Sequence, residues 1–166
     1  MRAGIALGSN LGDRLQNLRE GRAAVMALKG VARPLLCSRV YETEPVGPGS
    51  GCDAFLNAVI EIEYDGLPAA LLDGLQSIEA AMGRPSKRPR NAPRTLDLDI
   101  LYAGNLVLAN NDIVIPHPRL HVRRFVLQPL HDIRPDLRLP GHQGTVQELL
   151  NALEDPAAVA EYAAEW

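Results

Sequence analysis

Phe55-Leu56-Asn57-Ala58-Val59-Ile60-Glu61-Ile62-Glu63-Tyr64 alternates along its length. In an extended chain Leu56, Ala58, Ile60, Ile62 and Tyr64 share one face, and Asn57, Val59, Glu61 and Glu63 share the other. That pattern predicts a half-buried strand. Upstream, residues 33–43 carry Leu35, Leu36, Val40 and Tyr41 and suit a partner strand. Between the two lies Glu44-Pro45-Val46-Gly47-Pro48-Gly49-Ser50-Gly51, too rich in glycine and proline for a regular element. The three pieces predict an antiparallel hairpin with a long connection.

Further out, the pattern repeats on both sides of this hairpin. Residues 3–8 are small and apolar and end at Gly8-Ser9-Asn10, which reads as a short buried strand and a turn. From Asp13 onward Leu15, Leu18, Val25 and Leu28 recur at helical spacing until Gly30. Downstream, Leu71, Leu75, Ile78 and Met82 mark a second helix, with Pro68 in its first turn and Gly83 at its end. Thr95 to Tyr102 then reads as a strand burying Leu96, Leu98 and Ile100. The order β-α-β-β-α-β predicts an α+β fold with a ferredoxin-like core: an antiparallel sheet with helices packed on it. Residues 104–166 are expected to add a C-terminal helical extension, with helices near 145–153 and 157–165.

The 166 residues suit a single domain, 1–166, and contain no internal repeat or linker. A net charge of −3 gives no general attraction to nucleic acid or anionic membranes. Two cysteines, Cys37 and Cys52, make neither a disulfide framework nor a zinc cluster. No apolar run reaches the roughly 18 residues that a bilayer span needs. The expectation is a soluble, reduced, cytoplasmic domain acting on small molecules, with no nucleic acid, membrane or obligate protein partner.

Asp97 and Asp99 stand two apart on a strand, so their carboxylates share a face, roughly 7 Å apart at the Cα atoms. Two like charges on one face repel unless a cation lies between them. Hard oxygen ligands on a rigid element suit magnesium, which keeps waters and binds substrate phosphates. The same pair could also simply face solvent. Just upstream, Arg84, Lys87, Arg88, Arg90 and Arg94 gather among three prolines, a basic loop suited to a polyphosphate. A second basic cluster, His117-Pro118-Arg119-Leu120-His121-Val122-Arg123-Arg124, precedes Phe125; its histidines have no carboxylate partner obvious in the sequence for a triad. The chain has only two phenylalanines, Phe55 and Phe125, and Asn57 lies two residues beyond the first. Two rings and an amide could hold a flat heterocycle, or both rings could fill the core. Gly8-Ser9-Asn10-Leu11-Gly12 lacks the lysine and spacing of a P-loop and reads as a tight strand-to-helix turn.

Together these pieces resemble the 6-hydroxymethyl-7,8-dihydropterin pyrophosphokinases, from Gly8 to about residue 136. Pro93-Arg94-Thr95-Leu96-Asp97-Leu98-Asp99-Ile100 is the most specific stretch. Support comes from Glu42-Thr43-Glu44-Pro45-Val46-Gly47, Phe55-Leu56-Asn57-Ala58, Gln76-Ser77-Ile78-Glu79 with Gly83-Arg84, and Pro116-His117-Pro118-Arg119 through Phe125. The resemblance implies transfer of diphosphate from ATP to the hydroxymethyl group of a reduced pterin, releasing AMP, in tetrahydrofolate biosynthesis. It further implies two magnesium ions on Asp97 and Asp99, with Arg84 and Arg94 neutralising the moving group. Gln76, Glu79, Lys87, Arg88, Arg94, Ile100, His117 and Arg123 would meet ATP. Thr43, Pro45, Val46, Phe55, Asn57, Asp97 and Phe125 would meet the pterin. The chain departs from some family members at Ser86, Asn91 and Phe55, where those carry arginine, tryptophan and tyrosine. A magnesium-dependent nucleotidyl or glycosyl transferase using Asp-x-Asp is the first alternative, and an RNA-binding sheet is the second.

Overall fold

The computed structural model describes residues 1–44, 54–83, 93–155 and 157–166. Its first strand, β1 (Arg2–Ser9), runs into α1 (Arg14–Met26), whose N-terminus is capped by Asp13 Oδ1 accepting from the Gln16 amide at 3.1 Å. Then come β2 (Val31–Cys37), β3 (Val40–Thr43), β4 (Phe55–Tyr64), α2 (Pro68–Ala81) and β5 (Asp97–Ala103). A small hairpin, β6 (Leu108–Ala109) and β7 (Val114–Ile115), leads through a 3-10 turn at Leu120–Val122 to α3 (Arg124–Ile133). Finally α4 (Val146–Ala152) and β8 (Val159–Ala163) close the chain. The fold is mixed α and β. Its main sheet is antiparallel and ordered β5-β1-β4-β3-β8, with β2 also paired to β4.

The expected hairpin partner of β4 is two strands rather than one. The Ser38 hydroxyl accepts from the Val59 amide at 2.9 Å and donates to the Arg39 carbonyl at 2.7 Å, interrupting the ladder between Cys37 and Val40. β2 therefore pairs with the second half of β4, and β3 with Phe55 to Asn57.

Both faces of the sheet are covered, which corrects the half-buried expectation for β4. Leu56, Ala58, Ile60 and Ile62 pack with Leu18, Val25, Leu71 and Leu75 of α1 and α2. On the other face Val59 packs with Val126, Leu127 and Leu130 of α3 and Val146 and Leu150 of α4. Glu61, only 1% exposed, is held there by Tyr102 Oη at 2.6 Å and Arg134 Nε at 2.9 Å. A buried carboxylate is tolerable only when its lone pairs are so filled. Burial alone would raise its pKa, but the Arg134 and Tyr102 hydrogen bonds outweigh that and hold it below the usual carboxylate range.

The C-terminus is the clearest departure from expectation. The helix expected near 145–153 is present as α4, with a capping box between Thr145 and Glu148. The one expected over 157–165 is instead β8, paired antiparallel with β3. Local alanine-rich helix propensity loses to the edge of β3, which offers a row of backbone partners. Trp166 then docks its Nε1 on the Ser38 carbonyl at 2.8 Å, with the Arg22 guanidinium over its ring at 4.7 Å. α3 falls within the extension expected to hold helical structure, but outside the two helices named for it. Among the described residues no helix is long and apolar enough to cross a membrane.

Candidate active site

Along β1, Ala3, Ile5 and Leu7 face α1 and α2, so Gly4, Ala6 and Gly8 face the α3 side. α3 covers that side only in part. At the end where β1 ends and β4 and β5 begin, Asp97 pairs with Gly8, and Gly8 pairs with Asn57. These three residues form one row across three strands. A Cβ built on Gly8 would lie 3.4 Å from Asn57 Oδ1 and 3.8 Å from Asp97 Cβ. The glycine therefore leaves a bare backbone floor between an amide and a carboxylate.

The amide is tethered to the neighbouring strand. Asn57 Nδ2 donates to Thr43 Oγ1 at 2.9 Å, and Oδ1 lies toward the floor. Phe55 lies half-buried on the same face, paired with Thr43. Phe125 begins α3 and is also half-buried. Each ring carries a guanidinium: Arg94 lies 5.8 Å from the Phe55 centroid and Arg123 5.4 Å from that of Phe125.

Arg94 is pinned by the turn that follows β1. The Arg94 amide donates to Asn10 Oδ1 at 2.8 Å, and the Asn10 amide donates back to the Arg94 carbonyl at 3.1 Å. Its side chain reaches Asp97 Oδ2 from Nη1 at 2.5 Å, and its Nε is buried without a hydrogen-bond partner among the described residues. Asn10 thus holds the Arg94 backbone at this face, a contact that sequence reasoning does not supply. A buried asparagine (2% exposed) in a strand-to-helix turn was its only signal, and burial is invisible before folding.

The electrostatics place the second basic cluster at the same site. Burial depresses the pKa of His117, Asp99 opposes that, and Arg123 and Arg119 add to it. Burial and Arg119 likewise press Arg123 downward, against the pull of Asp99 and Asp97. The histidine thus has a carboxylate neighbour after all, brought from β5 rather than from nearby sequence. His117 Nδ1 accepts from the Arg119 amide at 3.1 Å, so the neutral ring carries its proton on Nε2. Three guanidiniums, a neutral imidazole and two carboxylates therefore surround one mouth. That charge set suits a polyanion bridged to the carboxylates by a cation. Among the described residues no three His, Cys, Asp or Glu side chains cluster as a closed metal site. Two aspartates that share a face suit a hard ion that takes its remaining ligands from water and phosphate.

The model of the 7,8-dihydro-6-hydroxymethylpterin-pyrophosphokinase family matches residues 4–135. The chain belongs to that family. A Haemophilus influenzae protein named 2-amino-4-hydroxy-6-hydroxymethyldihydropteridine pyrophosphokinase is 41% identical over 151 residues, 91% of this chain and 92% of that protein. A Bacillus subtilis protein of the same name is 40% identical over 78% of this chain and 75% of its own length. A Pneumocystis carinii folic acid synthesis protein is 40% identical across 82% of this chain, which spans only 18% of that longer protein. Among solved structures, a Plasmodium falciparum HPPK-DHPS chain superposes with a TM-score of 0.72 at 15% identity, over 90% of this chain and 42% of that one. Another HPPK-DHPS chain, solved with substrates, gives 0.71 over 91% and 43%. This chain thus spans less than half of those chains, and they share its fold.

The residues that the family resemblance nominated divide into four groups. Thr43, Phe55, Asn57, Arg94, Asp97, Asp99, His117, Arg123 and Phe125 lie on or beside the open face just described. Glu79 and Ile100 lie behind it. Glu79 is buried and its Oε1 accepts from the Leu98 amide at 2.8 Å, between the two aspartates in sequence, while the Ile100 side chain is in the core with α2. Gln76 stands exposed on α2. Pro45, Val46, Arg84, Lys87 and Arg88, with Ser86 and Asn91, lie outside the described residues.

Proposed function

We propose that the open face transfers diphosphate from ATP to the hydroxymethyl group of 6-hydroxymethyl-7,8-dihydropterin, releasing AMP. The observation that carries this is the Asp97–Gly8–Asn57 row: a phosphate-side carboxylate and a heterocycle-side amide separated by a flat glycine floor. Family membership supports the same reaction, and with it a place in folate biosynthesis. The strand order, with α1 and α2 together on one face, supports a ferredoxin-like βαββαβ core in which this floor sits opposite the helices.

The pterin lies over Gly8 with its N–H edge on Asn57 Oδ1, and Thr43 holds the amide's other end. Phe55 and Phe125 provide aromatic surface for its two faces. Arg94, ion-paired to Asp97 and held at its backbone by Asn10, places its guanidinium charge beside the phosphate being transferred. Arg123 and the Nε2–H of neutral His117 donate to further phosphate oxygens. Magnesium, held by Asp97 and Asp99, would screen phosphate charge and acidify the attacking hydroxyl. Glu79 fixes the backbone that carries both aspartates by accepting from Leu98. Phosphoryl transfer asks a protein mainly for position and charge neutralisation, and each of these side chains supplies one or the other.

The test is direct. Protein, ATP, magnesium and 6-hydroxymethyl-dihydropterin should yield AMP only when all are present, and Asp97→Asn should nearly abolish it. ADP as product, or turnover indifferent to that substitution, would overturn the reading.

A further inference from the structure

We propose that Arg14 is a positioning residue for the pterin subsite, holding from the rear of the sheet the strand ends that present Thr43 and Phe55. This rests on the pterin reading above.

Arg14 is the first residue of α1, where a helix N-terminus disfavours a cation, and no acidic side chain in the first turn offsets it. Its guanidinium is accordingly engaged elsewhere. Nη1 donates to the Ala54 carbonyl at 2.5 Å, Nη2 meets Glu42 Oε2 at 3.3 Å, and the Tyr162 ring centroid lies 5.7 Å from Cζ. Ala54 immediately precedes Phe55, and Glu42 immediately precedes Thr43. Thr43 in turn holds Asn57 at 2.9 Å.

Register explains why Arg14 acts only from behind. Tyr41 and Thr43 face the α3 side, as the Tyr41–Asp132 and Thr43–Asn57 bonds require, so Glu42 faces α1. Glu42 pairs with Ala160 of β8, the register slips by one residue at Tyr162, and the Arg14 contact places the Tyr162 ring on the rear side. One guanidinium therefore joins α1, β3, β8 and the start of β4. β3 has only four residues, and among the described residues its end is otherwise held by the two flanking ladders and the Thr43–Asn57 bond. Tyr162 lies beyond residues 4–135, so this brace uses a part of the chain that the family match does not reach.

Steady-state AMP release by the full chain, with each substrate varied in turn, tests the proposal. Arg14→Ala should raise the pterin KM about fivefold, a charged hydrogen bond discounted for partial exposure, and leave the ATP KM within about twofold. Arg14→Lys should recover part of the loss, because its ammonium can still reach one acceptor. Glu42→Gln, which keeps shape and removes the ion pair, should raise the pterin KM about twofold even if Arg14→Ala does not fold. Arg39→Ala breaks the Arg39–Glu161 ion pair (3.2 Å) between the start of β3 and β8, and should change neither KM. An unchanged pterin KM in folded Arg14→Ala, or an equal rise in both KM values, overturns the proposal. Should Arg14→Ala not fold, an unchanged pterin KM in Glu42→Gln does so. Absence of pterin-dependent AMP in the wild type instead overturns the reading on which it rests.

Discussion

Gly8→Ala separates a site role from a folding role. The added Cβ would sit 3.4 Å from Asn57 Oδ1 and 3.8 Å from Asp97 Cβ, both ordinary contacts. Gly8 has no positive φ, so alanine fits its strand backbone. Replacing glycine there reduces the freedom of the unfolded chain and should stabilise by about 0.4–1 kcal/mol. The same methyl, however, stands on the bare floor between the amide and the carboxylate. Carbon atoms keep about 3.5–4.0 Å apart, so a ring resting on that floor would be lifted by about 1 Å. A misplacement of that size costs about 100-fold in rate. Gly4→Ala is the matched comparison, on the same strand and the same face. Its Cβ would fall 2.2 Å from the Tyr102 ring, which Glu61 holds in place. That variant should lose about 2–3 kcal/mol of stability by overpacking. Thermal or urea unfolding and AMP release measured on both proteins decide the matter. Gly8→Ala with wild-type kcat/KM for pterin would refute the floor as the pterin's seat.

Three further outcomes follow from the geometry. Phe125→Ala should weaken pterin binding by about 1–3 kcal/mol, by analogy with base–aromatic stacking, and unchanged affinity in equilibrium titration would remove its stacking role. Glu61→Gln should cost about 3 kcal/mol in urea unfolding, because it leaves Arg134 facing a neutral amide in a buried setting. Glu61 has a depressed folded pKa, so its contribution is full above about 4.5 and is lost as pH falls through the folded value. The stability of Glu61→Gln should therefore fall less steeply below that pH, and parallel curves would refute the assignment. His142 lies against His121, with ring centroids 4.7 Å apart, and burial first and His121 second lower its pKa. The unfolded chain then binds the proton more tightly, so this stability is held above about pH 6.5 and declines below it. His142→Gln should flatten that decline in unfolding midpoints; an unaltered slope would place the titration elsewhere.

Apart from the split of 33–43 into β2 and β3, the strands and helices up to residue 103 were legible from their composition and spacing. β4 shows alternation, α1 and α2 show helical spacing, and Gly30, Pro68 and Gly83 mark their ends. The aspartate pair was legible for the same reason, since i and i+2 on a strand must share a face. What the sequence could not display was which residues would be brought together across strands. Asn57, Gly8 and Asp97 are 49 and 89 residues apart from Gly8 outward, and only the β4–β1–β5 ladder aligns them. Val59 and Glu61 looked solvent-facing because nothing near them in sequence announces α3, whose covering residues lie more than sixty positions later. The carboxylate beside His117 was hidden in the same way.

The C-terminal segment shows most plainly where local reading stops. Ala157-Ala158-Val159-Ala160-Glu161-Tyr162-Ala163 favours helix residue by residue, and an isolated peptide of that composition has no reason to extend. Its conformation is decided by β3, whose outer edge would otherwise expose unpaired amides and carbonyls. Pairing with β8 satisfies that edge, and Trp166 on the Ser38 carbonyl anchors the far end where β2 gives way to β3. The strand so stabilised is the one that carries Thr43, and Thr43 bonds the Asn57 amide. The expected helix at the end of the chain is therefore a strand that supports the edge of the sheet proposed to face the pterin. The route runs from β8 through β3 and Thr43 to the acceptor oxygen over Gly8.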